Sequence, residues 1–477
     1  MAEVESPTFS TRMLDKGGRS VLALMVAFLA AIFAFQLNVS MLSPVLTTMS
    51  KELHTTDTQI ALTQTVFFTA AALFSLFLPR LSDLIGRKKV LSGILISTLF
   101  GSIISALAQD VNMLMLGRIL QGASGPVLPM CLIMLRVRVR QEKSYAKLMA
   151  ILSSVNGGIA GFDALLGGWL ASKYGFRSVF WIMASIAAIA VIMIIVLADE
   201  SRSDATSRMD WLGVVTLGIA FLAIYLSINE LSNKLAKSNW LMVLILVLVA
   251  VLFFAIFWKI EVLSAIPLVS TTYMKQRRTW GLLLCTLLTM TGVFALINGV
   301  VIKLANDSKF GANIGTNMVS FVTLTPYAII GLLFGTISGV LAANYGYRLV
   351  LRIGIAFSMI CVAFGVYIAY MPSVWALVLF SVWVGVSYSG MANIMLNGLG
   401  IVLSPKDNPG YLPGMNAGAF NLGAGLSFAI LYAVMTNVAS LSGVTCGYAA
   451  AMVAGVVLLA FALACSFLIP DPKAADK

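Results

Sequence analysis

Arg118 and Asp163 are the charges that a bilayer tolerates least, because each stands well inside a long apolar run. An unpaired charge at that depth costs about 2.5 to 3.5 kcal/mol on insertion scales, so each is expected to find a partner. At 1.5 Å per residue, Arg118 falls roughly 10 Å below the outer end of its helix and Asp163 about 12 Å below the same surface. Asn38, near the outer end of the first apolar run, belongs to that layer too. The expectation is an Arg118 to Asp163 ion pair with Asn38 beside it. Such a pair either ties two helices together permanently or opens so that Asp163 takes up a proton. An arginine alongside favours the ionised carboxylate, whereas isolation in an apolar site favours the neutral acid. Asp163 is the acid placed deepest in any predicted helix, which makes it the expected proton carrier.

A second cluster lies in a basic turn, LPRLSDLIGRKKVL, from Leu78 to Leu91. Gly86 permits a tight reversal there. Asp83 can pair with Arg87, Lys88 or a neighbouring helix and so latch one conformation; the alternative is a solvated loop that only sets orientation. The turn recurs as GGWLASKYGFRSVF around Gly175 and SGVLAANYGYRLVL around Gly346, 89 and 260 residues further on. A period near 89 in so apolar a chain implies a repeat of three membrane-spanning helices. The third copy has Ala343 where Asp83 stands, so a latch of this kind is one-sided.

Composition fixes the solvent. The chain is 60% hydrophobic and 10% charged, with a mean hydropathy of +0.97, against roughly 25% charged residues in soluble proteins. Apolar runs long enough to cross a bilayer begin near Val21, Gln59, Val90, Val111, Lys147, Ser178, Trp211, Trp240, Trp280, Thr316, Leu349, Val374, Leu412 and Cys446. The predicted fold is an all-α polytopic membrane protein of 14 helices, two six-helix bundles with internal three-helix repeats plus two additional central helices. The bundles span 21–198 and 280–468, the central pair and its linkers 199–279, and cytoplasmic tails 1–20 and 469–477. The first run is too long for the core of a cleaved signal peptide, so it is expected to be retained. With the N-terminus inside, inner segments carry 23 of the 31 basic residues and outer loops 7, so both termini are expected in the cytoplasm. The +12 charge is spread over many loops, which excludes a nucleic-acid patch. The five cysteines lack metal spacing and the single His54 lacks a nearby ligand, so no metal, cofactor or catalytic constellation is expected.

The turn PRLSDLIGRK, Pro79 to Lys88, resembles the motif between helices 2 and 3 of the major facilitator superfamily, where glycine usually replaces Pro79. The run RILQGASG, Arg118 to Gly125, resembles that superfamily's arginine motif in helix 4. With 14 helices and a central pair, the chain looks like the drug/proton antiporter branch, which implies proton-coupled export of a partly lipophilic drug or metabolite by alternating access. Two departures weigh against that branch. Its exporters usually carry an acid in helix 1, where this chain has FQLNVS, Phe35 to Ser40; its helix 5 signature begins Gly-Pro, where this chain has Asp163 and Ala164. Import of a small nutrient is the alternative, and a receptor or scaffold a distant one.

By the same resemblance, helices 1, 4, 9 and 12 line the cavity. The expected substrate-binding residues are Gln36, Asn38, Gln121, Thr289, Asn298, Tyr388 and Asn393. No acid lies inside the last six predicted helices, so their polar chemistry is neutral: Thr286, Thr291, Asn397, Asn416 and Asn421 belong to the same set. Hydrogen bonding between helices is the competing role for each of these side chains. The expected partners are a small-molecule substrate, protons and the lipid bilayer, with the protein monomeric in the cell membrane.

Overall fold

Glycine sets the joints of this molecule. In the computed structural model, which describes residues 21–139, 141, 144–145, 148–149, 151–152, 162–201, 209–232, 238–264, 267–405 and 411–471, four glycines have positive φ: +117° at Gly86, +79° at Gly175, +87° at Gly346 and +97° at Gly443. A side chain would be strained in that region, and each glycine ends one helix and begins the next. Three are the glycines of the sequence repeat. Gly443 is a fourth copy that the sequence pattern conceals, because Thr445 stands where the others have Lys88, Arg177 or Arg348.

Between these joints run helices built from apolar stretches long enough to satisfy their own backbone in lipid. They are α1 (Val21–Glu52), α2 (Asp57–Ile85), α3 (Arg87–Ala106), α4 (Val111–Arg138), α6 (Phe176–Leu197), α7 (Trp211–Leu231) and α8 (Trp240–Leu263). There follow α9 (Arg277–Asn306), α10 (Thr316–Tyr345), α11 (Tyr347–Tyr370), α12 (Val374–Val402), α13 (Tyr411–Ser442) and α14 (Val444–Ser466). These are 13 candidate spans among the described residues. The run expected from Lys147 is helical at residues 148–149 and 151–152 and again at Phe162–Tyr174, here α5; Lys147 itself lies outside the described residues, as do residues 1–20 and 472–477 of the predicted tails.

The two halves repeat one packing pattern. In the first, α1 and α3 pack on α6, and α2 and α3 on α4; in the second, α9 and α11 pack on α14, and α10 and α11 on α12. Across the middle, α2 lies along α13 and α5 against α10. The pair α7 and α8 pack on each other, with α7 also against α2 and α13. Only 17% of the α8 span is buried against protein, compared with 72% for α2 and α9, so the pair is peripheral.

The helices expected to line the cavity are interrupted along their length, as is α10 at Thr323. α1 breaks into a 3-10 turn at Ser43–Val45, and α4 is interrupted between Gly122 and Val127. α9 contains a π-helical turn at Leu296–Val300 and α12 another at Gly385–Asn393. By contrast α3, α6, α11 and α14 run unbroken. Irregular backbone at membrane depth is tolerated only where protein or a cavity covers it, so these breaks mark the inward faces.

Candidate functional site

Arg118 is the largest side chain that is completely buried. Its Nη1 donates to Gln121 Oε1 at 2.8 Å, and its Nη2 donates to Gln64 Oε1 at 2.9 Å and to the Asn38 carbonyl at 3.2 Å. The guanidinium also lies 4.0 Å from the centroid of the Phe67 ring. Gln121 is held in turn by its Nε2 bond to Ser102 Oγ at 2.9 Å. The charge is therefore balanced by amide and backbone dipoles and an aromatic face, each of which is worth more in a low dielectric than in water.

Asp163 is not Arg118's partner. Its Oδ2 accepts from Ser40 Oγ at 2.5 Å, and Oδ1 is buried without a partner. Gln36 joins the group by donating from Nε2 to Ser40 Oγ at 3.2 Å. The expected ion pair fails because α1 supplies a separate contact to each charge, the Asn38 carbonyl to Arg118 and the Ser40 hydroxyl to Asp163. Depth along a helix is legible from residue counting; the direction each side chain faces around its helix is not. Asn38 does lie in the layer, with its Nδ2 bonded to the Ala34 carbonyl at 2.8 Å and its Oδ1 buried and unpartnered. This centre thus retains three unmet polar atoms: Asp163 Oδ1, Asn38 Oδ1 and Arg118 Nε.

The second half contributes neutral groups. Asn298, in the π turn of α9, accepts from Ser43 Oγ at 3.3 Å and so touches the 3-10 break of α1. Tyr388, in the π turn of α12, donates to Met290 Sδ at 2.7 Å. Thr289 and Thr291 bond to carbonyls of their own helix, those of Cys285 and Leu287. Thr286 donates to Asn416 Oδ1 at 2.6 Å while Asn416 Nδ2 reaches the Leu396 carbonyl at 3.3 Å, which ties α9, α12 and α13 together. Asn421 reaches Ser75 of α2 at 3.5 Å. Asn393 is half-buried and accepts from the exposed Asn397 at 3.1 Å. Between the halves Phe68 meets Phe294 edge-on, centroids 5.2 Å apart, and stacks on Phe428 at 6.4 Å.

One face of the centre is closed. Lys303 at the end of α9 pairs with Asp57 at the start of α2 at 2.6 Å, and Ser320 of α10 donates to the Ala164 carbonyl of α5 at 3.1 Å. A crevice of about 10 Å³ between α2, α7 and α13, lined by Thr65, Thr69 and Tyr225 among others, has room for no more than a water.

The Gly86 turn at the opposite face uses partners that sequence reading misses. Asp83 does pair with Arg87, Oδ1 to Nη2 at 2.7 Å. The group holding the turn from outside is Glu200, whose Oε1 accepts from the Lys88 backbone N–H at 3.0 Å, at the start of α3, while Arg87 N donates to the Ser201 carbonyl at 3.0 Å. A carboxylate there satisfies an open N–H and complements the helix dipole. The second copy repeats the device with Glu52, which accepts from Phe176 N at 3.2 Å and pairs with Arg177 at 3.3 Å. In the third, Arg348 pairs with Asp471. A carboxylate four helices away from a repeated glycine turn would have been the signal to seek.

Glycine-turned three-helix units, interrupted helices around a polar centre and paired half-molecules are the architecture of a secondary transporter, and residues 28–427 match the model of the Major Facilitator Superfamily. The chain belongs to that superfamily, and it is an integral membrane transporter, not an enzyme. It is 57% identical over 458 residues, 95% of each chain, to the uridine/deoxyuridine transporter of Lactococcus lactis subsp. cremoris strain MG1363. Similarity to Multidrug resistance protein 3 of Bacillus subtilis strain 168 is 26% over 277 residues, 58% of this chain and 53% of that one. Among solved structures, a point mutant of the nucleoside transporter NupG superposes with a TM-score of 0.62 at 15% identity, covering 96% of this chain and 100% of that chain. The human organic anion transporter MFSD10 gives 0.59 at 12% identity, covering 94% and 98%.

Proposed function

We propose that this protein carries pyrimidine nucleosides, uridine and deoxyuridine foremost, into the cell by alternating access. The observation that carries the reading is the 57% identity, over 95% of both chains, to the uridine/deoxyuridine transporter. The chemistry agrees with it. Uridine is uncharged and offers sugar hydroxyls together with the donor and acceptors of its base, a set that amides and hydroxyls match. Gln36, Asn38, Gln121, Thr289, Asn298, Tyr388 and Asn393 are the proposed substrate contacts, with the phenyl rings of Phe68 and Phe294 as the apolar counterpart for the base. Import replaces export as the leading direction, since the two departures from the exporter pattern and the nucleoside relative point the same way. The multidrug relative aligns over only about half of each chain.

Coupling to protons is proposed through Asp163, its free Oδ1 receiving the proton and Ser40, in place of Arg118, sensing the change. Asp83, Gly86, Arg87 and Lys88 act as a conformational latch, with Glu200 as its outside anchor. The protein works as a monomer with both termini in the cytoplasm. Purified protein in liposomes loaded with unlabelled uridine should take up labelled uridine by exchange, with deoxyuridine competing and a lipophilic cation failing to compete. Absence of exchange by folded protein, or competition by the cation alone, would reject the nucleoside reading.

A further inference from the structure

Among the described residues, the buried carboxylate oxygens without a hydrogen-bond partner are Asp163 Oδ1 in the centre and, far from it, Asp210 Oδ2 and Glu261 Oε1 at the face of the Gly86 turn. The second set lies at one end of the peripheral helix pair. Glu261 is in the last turn of α8 and is 1% exposed. Its Oε2 accepts from Val269 N at 2.8 Å, where the chain turns back toward α9. Asp210 immediately precedes α7, and its Oδ1 accepts from Gly213 N at 2.9 Å.

The two remaining oxygens converge on one point. A Cβ on Gly213 would stand 2.6 Å from Asp210 Oδ2 and 2.9 Å from Glu261 Oε1. Only a residue without a side chain leaves room for both. Arg80 of α2 lies within electrostatic reach of both carboxylates, and its Nη1 donates to the Pro267 carbonyl. From α13, Tyr411 faces Glu261 and donates to the Ser270 carbonyl at 3.2 Å, with Tyr273 beside it. Asp83, one turn on from Arg80, is occupied by Arg87. Among the described residues the groups around Glu261 are therefore two acids, one guanidinium and neutral phenols, and those charges do not balance. One proton balances them, and it also supplies the donor that the two open oxygens lack.

We propose that Asp210 and Glu261 hold one shared proton at the face of the Gly86 turn, and that this proton fastens the α7 and α8 pair to α2 through Arg80. With the proton in place, an O–H of one carboxyl donates to the other and the set is neutral. When it leaves, two like charges converge over Gly213 and the helix pair loosens from α2 beside the latch turn. The peripheral pair is then a pH-read regulator, separate from Asp163 and independent of which solute is carried.

The test is thermal unfolding of the purified full-length protein between about pH 6 and about pH 8.5, the range in which a shared carboxyl proton is released. A proton held in the folded state adds stability at the acid end and withdraws it as pH rises, so the wild-type Tm should fall by several degrees across the range. Glu261→Gln and Asp210→Asn each provide a permanent N–H donor and remove one charge, so both should keep the acid-end Tm at high pH. Either variant following the wild-type curve in parallel overturns the proposal. A wild-type Tm that does not fall overturns it without any variant, should the variants fail to fold. Sodium or potassium chloride restoring the wild-type Tm at high pH, beyond what choline chloride does, would show a metal cation at the pair and reject the proton.

Discussion

Within its spanning helices the first half of the chain holds a buried cation and a buried acid, while the second half holds threonines, asparagines and a tyrosine. The expected substrate contacts of the second half are bonded, Tyr388 to Met290 and Asn298 to Ser43 and Phe294, as is Thr286 to Asn416, and its unmet buried atoms, at Thr279, Asn306, Ser338 and Arg352, belong to none of them. The polar centre of the first half is left short at Asp163 Oδ1, Asn38 Oδ1 and Arg118 Nε. Unmet polar atoms are costly in a stable core, and their gathering around Arg118 and Asp163 supports the proposal of a division of labour, in which the first half would change its state of charge and bonding during the cycle and the second would position the solute.

The comparison breaks hardest at Arg118. Arg118→Met leaves Gln64, Gln121 and the Asn38 carbonyl without their donor, and should cost on the order of 3 kcal/mol or more and reduce uridine uptake to background. Thermal unfolding and liposome uptake measure the two losses, and near-normal values for both would remove the first half's claim to the larger role. Asp163→Asn comes next. It should abolish accumulation driven by a proton gradient while leaving uridine exchange measurable, and full accumulation by a folded variant would end the proton assignment. In the second half, Asn298→Ala or Tyr388→Phe should raise the KM for uridine roughly tenfold, about 1.4 kcal/mol, with accumulation ratio unchanged. If either variant lost accumulation as Asp163→Asn does, the division of labour would fail.

Smaller effects belong to the gates. The Asp57 to Lys303 pair is partly exposed, so Lys303→Ala should shift the balance of conformations by no more than about fivefold, about 1 kcal/mol. Cysteine accessibility at Asn298→Cys, in the presence and absence of the pair, reports that shift. Least of all, Asp307 just beyond α9 is pushed up by burial but held below the usual carboxylate range by the backbone N–H groups of Phe310 and Lys309, the Tyr448 hydroxyl and nearby Lys303. Its contribution is present above about pH 4 and is lost as pH falls further through its depressed value. The Tm difference between wild type and Asp307→Asn should therefore be visible at neutral pH and close in acid.

Thirteen of the fourteen expected spans and three of the joints are legible because apolar length and a repeated Gly-x-basic turn are local properties of sequence. Gly443 escapes for the same reason, since its backbone keeps the joint while Thr445 drops the basic marker. Arg118 and Asp163 stand out by cost alone, yet their partners do not, because residue counting gives depth and not direction. Glu261 is hidden because the apolar run of α8 ends near Trp258, which places this acid in a loop; the helix continues to Leu263. Glu200 and Glu52 act through backbone N–H groups of a distant turn, and no spacing in the sequence records that.

The π turns in α9 and α12 carry a consequence for how this protein can change over time. A π turn is an α-helix holding one residue too many. Deleting a single residue within Gly385–Asn393 would let the backbone relax to regular α-helix while the helix on either side kept its face. Only the residues of the turn itself, Tyr388 and Asn393 among them, would be reset against their neighbours, while both ends of α12 stayed bound to α10 and α11. Solute preference in this half is thus open to insertion and deletion as well as to substitution, a route that an unbroken helix such as α11 does not offer.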